Sequence, residues 1–238
     1  MKIAVFGDIH GNIHALRAAY AAALAQKPDT MYHVGDLGGY NPFVNEVIDF
    51  LIEKGIEGVQ GNYDETVAND RAQCGCKYED PAQAELAHHS FMWTKKRATE
   101  KSKGYMRNLP VRIDFVAEGR KVALFHATPH KNNLYWYEDR TATFFREMAS
   151  KVDADVLIYG HTHVPYRKDI GGTVFINTGS VGRPKDGDPR TCVCMVDIQQ
   201  DAVATEFLRV PYDVDAADVV IKSGLPVAFA AQLKTGKP

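Results

Sequence analysis

Short apolar segments that each end at a polar side chain constrain the fold of this chain most strongly. They are rich in β-branched and aromatic residues, as in residues 2–6 (KIAVF) and 156–159 (VLIY), and are typical of buried strands. Functional groups in α/β sheets gather at the carboxyl ends of strands, so we expect the side chains that follow these segments to converge. Those side chains are Asp8, His10, Asp36, Asn62, His126, His161 and His163.

These side chains provide two carboxylates, four imidazoles and one amide, which is enough oxygen and nitrogen for two divalent metal ions. Asp8 and His10 are separated by one residue, so both can face one point. His161 and His163 repeat this spacing. Neighbouring glycines let the backbone turn sharply and approach an ion closely. Each motif alone is common, but their recurrence at several strand ends indicates one shared metal site.

The order of predicted elements indicates an α/β fold. Strands at residues 2–6, 30–34 and 56–59 alternate with helices near 12–26 and 42–54, a pattern that favours a parallel sheet with right-handed crossovers. Later segments predict further pairs of strands and a helix. We expect one domain over residues 1–238. Within it we expect a polar, helical, cap-like excursion at about 65–108, and a short helix with a loose tail at about 215–238.

Net charge and the lengths of the apolar runs argue against nucleic acid as a partner and against secretion or a membrane span. The 28 basic and 30 acidic side chains give a net charge of -2. The chain therefore lacks the basic excess that would favour nucleic acid as a partner. The start of the chain lacks the apolar stretch of a secretory signal, and no apolar run is long enough to span a membrane. We therefore expect a cytoplasmic protein, with its four cysteines as reduced thiols.

The motif order resembles that of the calcineurin-like metallophosphoesterase superfamily, whose pattern is D-x-H, G-D, G-N-H-D/E, a lone His and G-H-x-H. The resemblance covers roughly residues 1–210. Residues 39–42 (GYNP) and 177–190 (NTGSVGRPKDGDPR) look like a compact prokaryotic, phosphodiesterase-like branch of it. The matching motifs here are Gly7-Asp8-Ile9-His10, Gly35-Asp36, Gly61-Asn62-Tyr63-Asp64, His126 and Gly160-His161-Thr162-His163.

The resemblance implies a four-layer αββα sandwich with two mixed sheets and a dinuclear metal site at the strand ends. Asp36 would bridge the ions. One ion would be completed by Asp8, His10 and His163, and the other by Asn62, His126 and His161. A water held by both ions would attack the phosphorus in line. This ligand set suits manganese, iron, zinc or nickel, with manganese favoured.

One position departs from the family pattern. Many members carry a histidine after Asn62, assigned as the general acid, whereas this chain has Tyr63 and retains Asp64. Tyr63 is then a weaker acid or packs near the substrate, or another group donates the proton. His130, four residues after His126, is a candidate substitute. Without the histidine, esters with good leaving groups, such as aryl diesters or phosphoanhydrides, are favoured because they need less protonation.

Other candidate contacts to a substrate lie in loops. Arg183 and Lys185 follow a predicted strand and can bind a phosphate oxygen, or they form a solvated basic loop. Tyr135, Trp136 and Tyr137 can stack on a base or aryl group, anchor a loop, or form a contact in a homo-oligomer.

The function we expect is metal-dependent hydrolysis of small phosphate esters, preferably phosphodiesters or small nucleotides. A phosphoprotein phosphatase or a dinucleoside polyphosphate hydrolase is the alternative within the superfamily, but those relatives generally carry the histidine that Tyr63 replaces. A non-catalytic scaffold, like the retromer subunit of this fold, is disfavoured because seven converging polar groups are costly to bury without ions. A nuclease is disfavoured because no DNA-gripping segment is evident.

Overall fold

A computed structural model describes residues 1–76 and 80–237 of the chain. These residues form ten strands and eight helices. The strands are β1 Lys2–Phe6, β2 Thr30–His33, β3 Glu57–Gly58, β4 Arg112–Ala117, β5 Arg120–Phe125, β6 Val156–Tyr159, β7 Tyr166–Ile170, β8 Thr173–Asn177, β9 Thr191–Ile198 and β10 Val203–Val210. The helices are α1 Ile13–Ala25, α2 Val44–Lys54, α3 Asn62–Ala68, α4 Pro81–Arg97, α5 Glu100–Asn108, α6 Ala142–Ala149, α7 Ala216–Lys222 and α8 Val227–Thr235.

The strands form two mixed sheets of five strands each. The first has the order β10-β9-β1-β2-β3, in which β1, β2 and β3 are parallel. The second has the order β4-β5-β6-β8-β7, in which β5, β6 and β8 are parallel. In the first sheet the antiparallel strands β9 and β10 lie on one side of the parallel group. In the second sheet the antiparallel strands β4 and β7 lie at the two edges. The prediction of an α/β fold with two mixed sheets is confirmed.

Three apolar layers hold the sandwich together. The inner faces of both sheets pack on each other through side chains such as Val5 and Ile158. Helices α1 and α2 cover the outer face of the first sheet, where Leu16 and Ile48 are buried. Helix α6 covers the second sheet around Phe145. Burying both faces of the parallel strands explains their continuous apolar sequence.

Local signals set several helix ends as predicted. The Asn12 side chain accepts a hydrogen bond from Ala15 N at 3.0 Å and caps α1, a favoured use of asparagine. Gly55 ends α2 in the left-handed conformation, with φ of 63°, which glycine adopts without steric cost.

The chain between β3 and β4 is helical, and a role of this segment as a cap stays a prediction. Helices α3, α4 and α5 form there, while residues 77–79 of the excursion lie outside the described residues. No helix in residues 1–76 or 80–237 combines the length and the apolar character needed to cross a membrane. The four cysteines form no disulfide among the described residues.

The C-terminal segment differs from the prediction of one short helix and a loose tail. It folds into two helices, α7 and α8, and α8 packs Phe229 and Leu233 into the core. These apolar residues are four positions apart and therefore lie on one face of a helix. Residue 238, within the predicted tail, lies outside the described part of the chain.

Replacement of Gly58 by alanine should destabilise the fold. An added Cβ would lie 2.3 Å from Cγ of the buried His33 ring, and overpacking of this kind costs about 1–3 kcal/mol. Gly104→Ala is the matched control, because an added Cβ there meets nothing within 4 Å and alanine in α5 gains up to about 1 kcal/mol. Urea denaturation measures both free energies of unfolding, and equal stabilities for the two variants would contradict the packing at His33.

Candidate metal centre

The seven predicted ligands meet where the parallel strands end. Segments that follow β1, β2, β3, β5 and β6 carry them, with Asn62 at the first position of α3, and each residue is 3% exposed or less. Their donor atoms form two groups, each compact enough to hold one ion. The first group is Asp8, His10 and His163, and the second is Asp36, His126 and His161.

The first group is built from three side chains of two loops. His10 Nε2 lies 3.1 Å from His163 Nε2, and His163 Nε2 lies 3.5 Å from Asp8 Oδ1. Asp8 is held in place through its other oxygen, which accepts a hydrogen bond from His161 N at 2.9 Å.

The second group has the same character, and the amide of Asn62 lies beside it. His126 Nε2 lies 3.2 Å from His161 Nδ1 and 3.1 Å from Asn62 Oδ1. The Asn62 amide nitrogen donates to Cys74 O at 3.0 Å and to Cys76 Sγ at 3.2 Å. This bonding turns the carbonyl oxygen of Asn62 toward His126.

Asp36 belongs to the second group and also faces the first. Its Oδ2 lies 3.7 Å from His10 Nε2, in the first group. Its Oδ1 lies 3.5 Å from His126 Nε2, in the second group. One carboxylate therefore presents one oxygen to each group, the geometry that a bridging ligand requires.

The protonation of the imidazoles makes the cluster suited to cations. Nδ1 of His10 lies 2.7 Å from Gly38 O, that of His163 2.6 Å from Arg183 O, and that of His126 2.7 Å from Val34 O. Because a carbonyl oxygen only accepts, each Nδ1 carries the proton and each Nε2 carries a lone pair.

Lone pairs consequently face other lone pairs. Nε2 of His10 points at Nε2 of His163 with no proton between them, and Nε2 of His126 points at the carbonyl oxygen of Asn62. Asp8 Oδ1 is buried and accepts no hydrogen bond from any described residue. Such contacts are unfavourable in a dry interior unless a cation lies among them. The residues therefore fit two divalent metal ions.

Burial shifts the pKa values of the predicted metal ligands. It lowers the pKa of His126 to about 4 and the pKa of the other three ligand histidines well below the ordinary value. The imidazoles are therefore neutral near pH 7, as metal ligands must be. Burial also raises the pKa of Asp36 to about 7 and that of Asp8 well above its usual range. An ion would favour the charged carboxylates.

The backbone at the ligands is strained. Five of the seven have positive φ, between 45° and 68°, and residues other than glycine held there cost about 1–3 kcal/mol each. Two glycines allow the carboxylates to approach closely: an added Cβ at Gly61 would lie 2.2 Å from Asp36 Oδ1, and one at Gly160 would lie 2.4 Å from Asp8 Oδ2. The residues with positive φ are Asp8, His10, Asp36, His161 and His163.

Asp64 supports the position of Asp36. Its carboxylate accepts hydrogen bonds from the backbone N–H groups of Asp36 at 2.8 Å and Leu37 at 2.9 Å, and from Gly61 at 2.8 Å. These donors occupy both oxygens of Asp64, so its side chain holds the loop of Asp36 and Leu37 against the start of α3.

The two candidate proton donors occupy different surroundings. The hydroxyl of Tyr63 lies 3.3 Å from Ala87 O in α4 and is directed into the cap. Its ring packs edge-on to His10 at 5.6 Å, and burial raises its pKa well above the ordinary value. This geometry counts against proton donation by Tyr63. His130 is exposed and lines an open cavity of about 640 Å³ together with His126.

The two predicted phosphate-binding cations are near the first group. Burial, aided by the Arg183 cation, lowers the pKa of half-buried Lys185 to about 7, against the opposing effect of the Asp8 charge. Arg183 is buried and forms no ion pair among the described residues. Its guanidinium donates to Gln232 Oε1 in α8 at 2.7 Å and lies 3.9 Å from the centre of the Tyr40 ring.

The aromatic run after His126 is divided between two roles. Tyr135 stacks on the ligand His161 with ring centres 4.3 Å apart, and Tyr137 stacks on Tyr135 at 5.7 Å. Trp136 is buried against Tyr159 at 4.4 Å and anchors the loop in the core. Of the roles predicted for this run, the loop anchor is Trp136. Tyr135 packs on His161, a predicted metal ligand.

The sequence prediction missed several residues around the centre. Asn41 donates to His10 O at 2.9 Å, Gln232 holds Arg183 from α8, and Glu65 with Asn132 borders the cavity beside His126. Glu65 lies one helical turn after Asn62, a spacing that places both on one face and could have indicated it. Asn41 lies in the 39–42 segment (GYNP) but was given no role from the sequence. Gln232 and Asn132 come from distant segments without a motif.

Comparison with known proteins places this geometry in a family. Residues 1–201 match the calcineurin-like phosphoesterase superfamily domain. The chain belongs to this superfamily, and membership together with the two residue groups supports divalent metal binding and hydrolysis of phosphate esters.

Relatives share the whole length of the chain. The protein MJ0912 of Methanocaldococcus jannaschii is 27% identical over 254 residues, covering 99% of this chain and 98% of the relative. A metallophosphoesterase from Sphaerobacter thermophilus is 25% identical, with a TM-score of 0.77 and 99% coverage of both chains. The hypothetical protein PH1004 of Pyrococcus horikoshii OT3 shares the fold at 20% identity, with a TM-score of 0.84 and coverage of 100% and 99%.

Loss of the Gln232 acceptor should destabilise the protein. Gln232→Leu leaves the buried Arg183 guanidinium without its oxygen partner, at a cost of about 1–3 kcal/mol. Gln232→Glu keeps an acceptor and adds a charge opposite to that of Arg183, so it should retain the stability of the parent. Chemical denaturation of the two variants tests this contact, and equal losses for both would show that the bond to Arg183 contributes nothing.

Proposed function

We propose that this protein is a metal-dependent phosphoesterase that acts on phosphodiesters or small nucleotides. The observation that carries the proposal is the pairing of two imidazole and carboxylate groups around Asp36, in which buried lone pairs face one another. A neutral imidazole and carboxylate set suits manganese, iron, zinc or nickel, and we favour manganese.

Asp8, His10 and His163 would hold one ion, and Asn62, His126 and His161 the other, with Asp36 between them. When bound, two such ions neutralise the phosphate and activate a water for in-line attack. The protein keeps the imidazoles neutral by burial and fixes their orientation through backbone carbonyls. Hydrogen bonds of this kind to the ligands orient them and increase their basicity.

The basic loop after β8 would bind the phosphate. Lys185 is the better candidate for direct contact, because it is half-buried and its charge interacts with both Asp8 and Asp36. Arg183 is committed to Gln232 and Tyr40, so it supports the loop and adds positive charge near the first group. Positive charge in this position favours an anionic substrate.

His130 would donate the proton to the leaving alcohol. It lines the same cavity as the ligand His126, whereas the Tyr63 hydroxyl faces Ala87. The loop that carries His130 is tight, because Thr128 N and Lys131 O are 3.0 Å apart and Thr128 Oγ1 donates to Lys131 O at 2.8 Å. A rigid loop at a cavity wall can hold an imidazole within reach of a leaving group.

The other candidate activities receive less support. Phosphoprotein phosphatases and dinucleoside polyphosphate hydrolases generally carry the histidine that Tyr63 replaces. A non-catalytic scaffold has no need for buried imidazole lone pairs that face one another. The contacts around Asp36 therefore favour the metal-dependent enzyme.

The proposal predicts hydrolysis of bis(p-nitrophenyl) phosphate by the metal-stripped protein once manganese is added. Asp36→Asn should lower the rate beyond the roughly 10–100-fold typical of changes outside the ligand shell, because it removes the carboxylate that both groups share. It should also lower the metal content measured by mass spectrometry. Asp49→Asn is the control, since Asp49 is an exposed partner of Lys101.

The absence of turnover of aryl monoesters and diesters with manganese, iron, zinc and nickel would refute the proposed activity. Full activity of Asp36→Asn would refute the bridging role alone.

The role of His130 predicts a dependence on the leaving group. His130→Ala should slow hydrolysis of alkyl diesters by about 100-fold, as loss of a general acid does. It should slow aryl diesters much less, since a nitrophenolate leaves without a proton. His88→Ala is the matched control, because His88 is exposed on α4. Steady-state rates with both ester classes measure the effect, and an equal loss for both would argue against proton donation by His130.

A further inference from the structure

Two open cavities adjoin the second ligand group. The larger, about 640 Å³, is lined by His126 and His130 among others. The smaller, about 450 Å³, is lined by Asn62 and by the turn around Gly75. Both cavities share Glu65, Asn132 and Asn133, so these three residues form the wall between them.

The two chain segments that form this wall each follow a predicted metal ligand. Glu65 follows Asn62 by one turn of α3, and the loop 128–133 follows His126 directly. The loop is fixed at both ends: Lys131 N donates to Thr128 Oγ1 at 3.1 Å, and the Asn133 amide donates to Gly75 O at 3.0 Å. A group bound at the wall therefore has a defined position relative to the second ligand group.

Glu65 supplies a carboxylate to the wall. Its Oε2 accepts a hydrogen bond from the Asn132 amide at 2.7 Å, which orients the carboxylate. Its Oε1 accepts no hydrogen bond from any described residue, and the side chain is half-buried between the cavities. An oriented carboxylate with one oxygen available suits a ligand that donates hydrogen bonds.

The lining determines what kind of ligand fits. At the wall itself the Glu65 carboxylate repels phosphate oxygens, so an anionic group does not suit the position beside its Oε1. The described lining of both cavities contains no Phe, Tyr or Trp side chain. It therefore lacks the aromatic cage that encloses a quaternary ammonium, and it offers an aryl group only the imidazoles of His126 and His130. Lys131 and Arg71 supply positive charge at the two cavities, which disfavours a cationic ligand.

We infer that this wall binds a polyhydroxylated leaving group, such as a glycerol or ribose unit, through hydroxyl donors on Glu65 and the amides of Asn132 and Asn133. The inference rests on the proposed phosphoesterase function and assigns to Glu65 a role in specificity. A carboxylate that accepts hydrogen bonds from adjacent hydroxyls is a general device for recognising ribose. His130, in the same cavity, is placed to protonate the departing alkoxide.

A pair of diesters that differ only in the leaving alcohol tests this subsite: ethyl glyceryl phosphate and ethyl propyl phosphate, with products separated by chromatography. The parent enzyme should prefer the glyceryl ester by about tenfold in kcat/KM, equivalent to about 1.4 kcal/mol. Glu65→Ala should remove this preference mainly through a higher KM for the glyceryl ester. Glu65→Gln keeps an acceptor for Asn132 and should retain part of it.

Glu85→Ala is the control for removal of a carboxylate, because Glu85 is exposed on α4 and should leave the preference intact. Bis(p-nitrophenyl) phosphate serves as the hydroxyl-free reference in every assay. If the parent hydrolyses this reference but shows no glyceryl preference, or if Glu65→Ala keeps the preference, the subsite assignment is wrong while the phosphoesterase function stands. If the parent hydrolyses none of the three esters, the proposed function itself fails.

Discussion

The arrangement of buried lone pairs around Asp36 is the constraint on which the rest of the site depends. Backbone carbonyls accept hydrogen bonds from Nδ1–H of three histidines, so the Nε2 atoms of His10 and His163 approach to 3.1 Å without a hydrogen between them. An interior of low dielectric makes such contacts costly unless positive charge compensates them. Burial keeps the imidazoles neutral and raises the pKa of the carboxylates, and a cluster with these properties suits cations.

The fold positions the predicted ligands by holding the backbone of their segments as well as their side chains. Parallel strands of two sheets deliver the ligand loops to one edge, and left-handed residues turn Asp8 and Asp36 inward. Asp64 ties the loop of Asp36 and Leu37 to α3 through three backbone N–H groups. The C-terminal helix α8, beyond the matched family domain, holds Arg183 through Gln232 and so supports the loop whose carbonyl orients His163.

Much of this fold could be predicted from sequence, because apolar strands followed by glycine and a ligand mark both the sheets and the site. The convergence of the seven side chains follows from that pattern, although their binding of metal stays a prediction. The direction of the Tyr63 hydroxyl depends on the packing of α4, and the order of the C-terminal segment depends on contacts of Phe229 with distant residues such as Tyr40. Glu65 and Asn132 meet only in the folded chain. Contacts of this kind leave no local pattern in a sequence.

Anomalous diffraction from crystals grown with manganese tests the central claim most directly. We predict two peaks per chain, one on each side of the Asp36 carboxylate, the first bordered by His10 and His163 and the second by His126 and His161. A map with no peak beside Asp36, in a protein whose histidines keep these positions, would contradict the account.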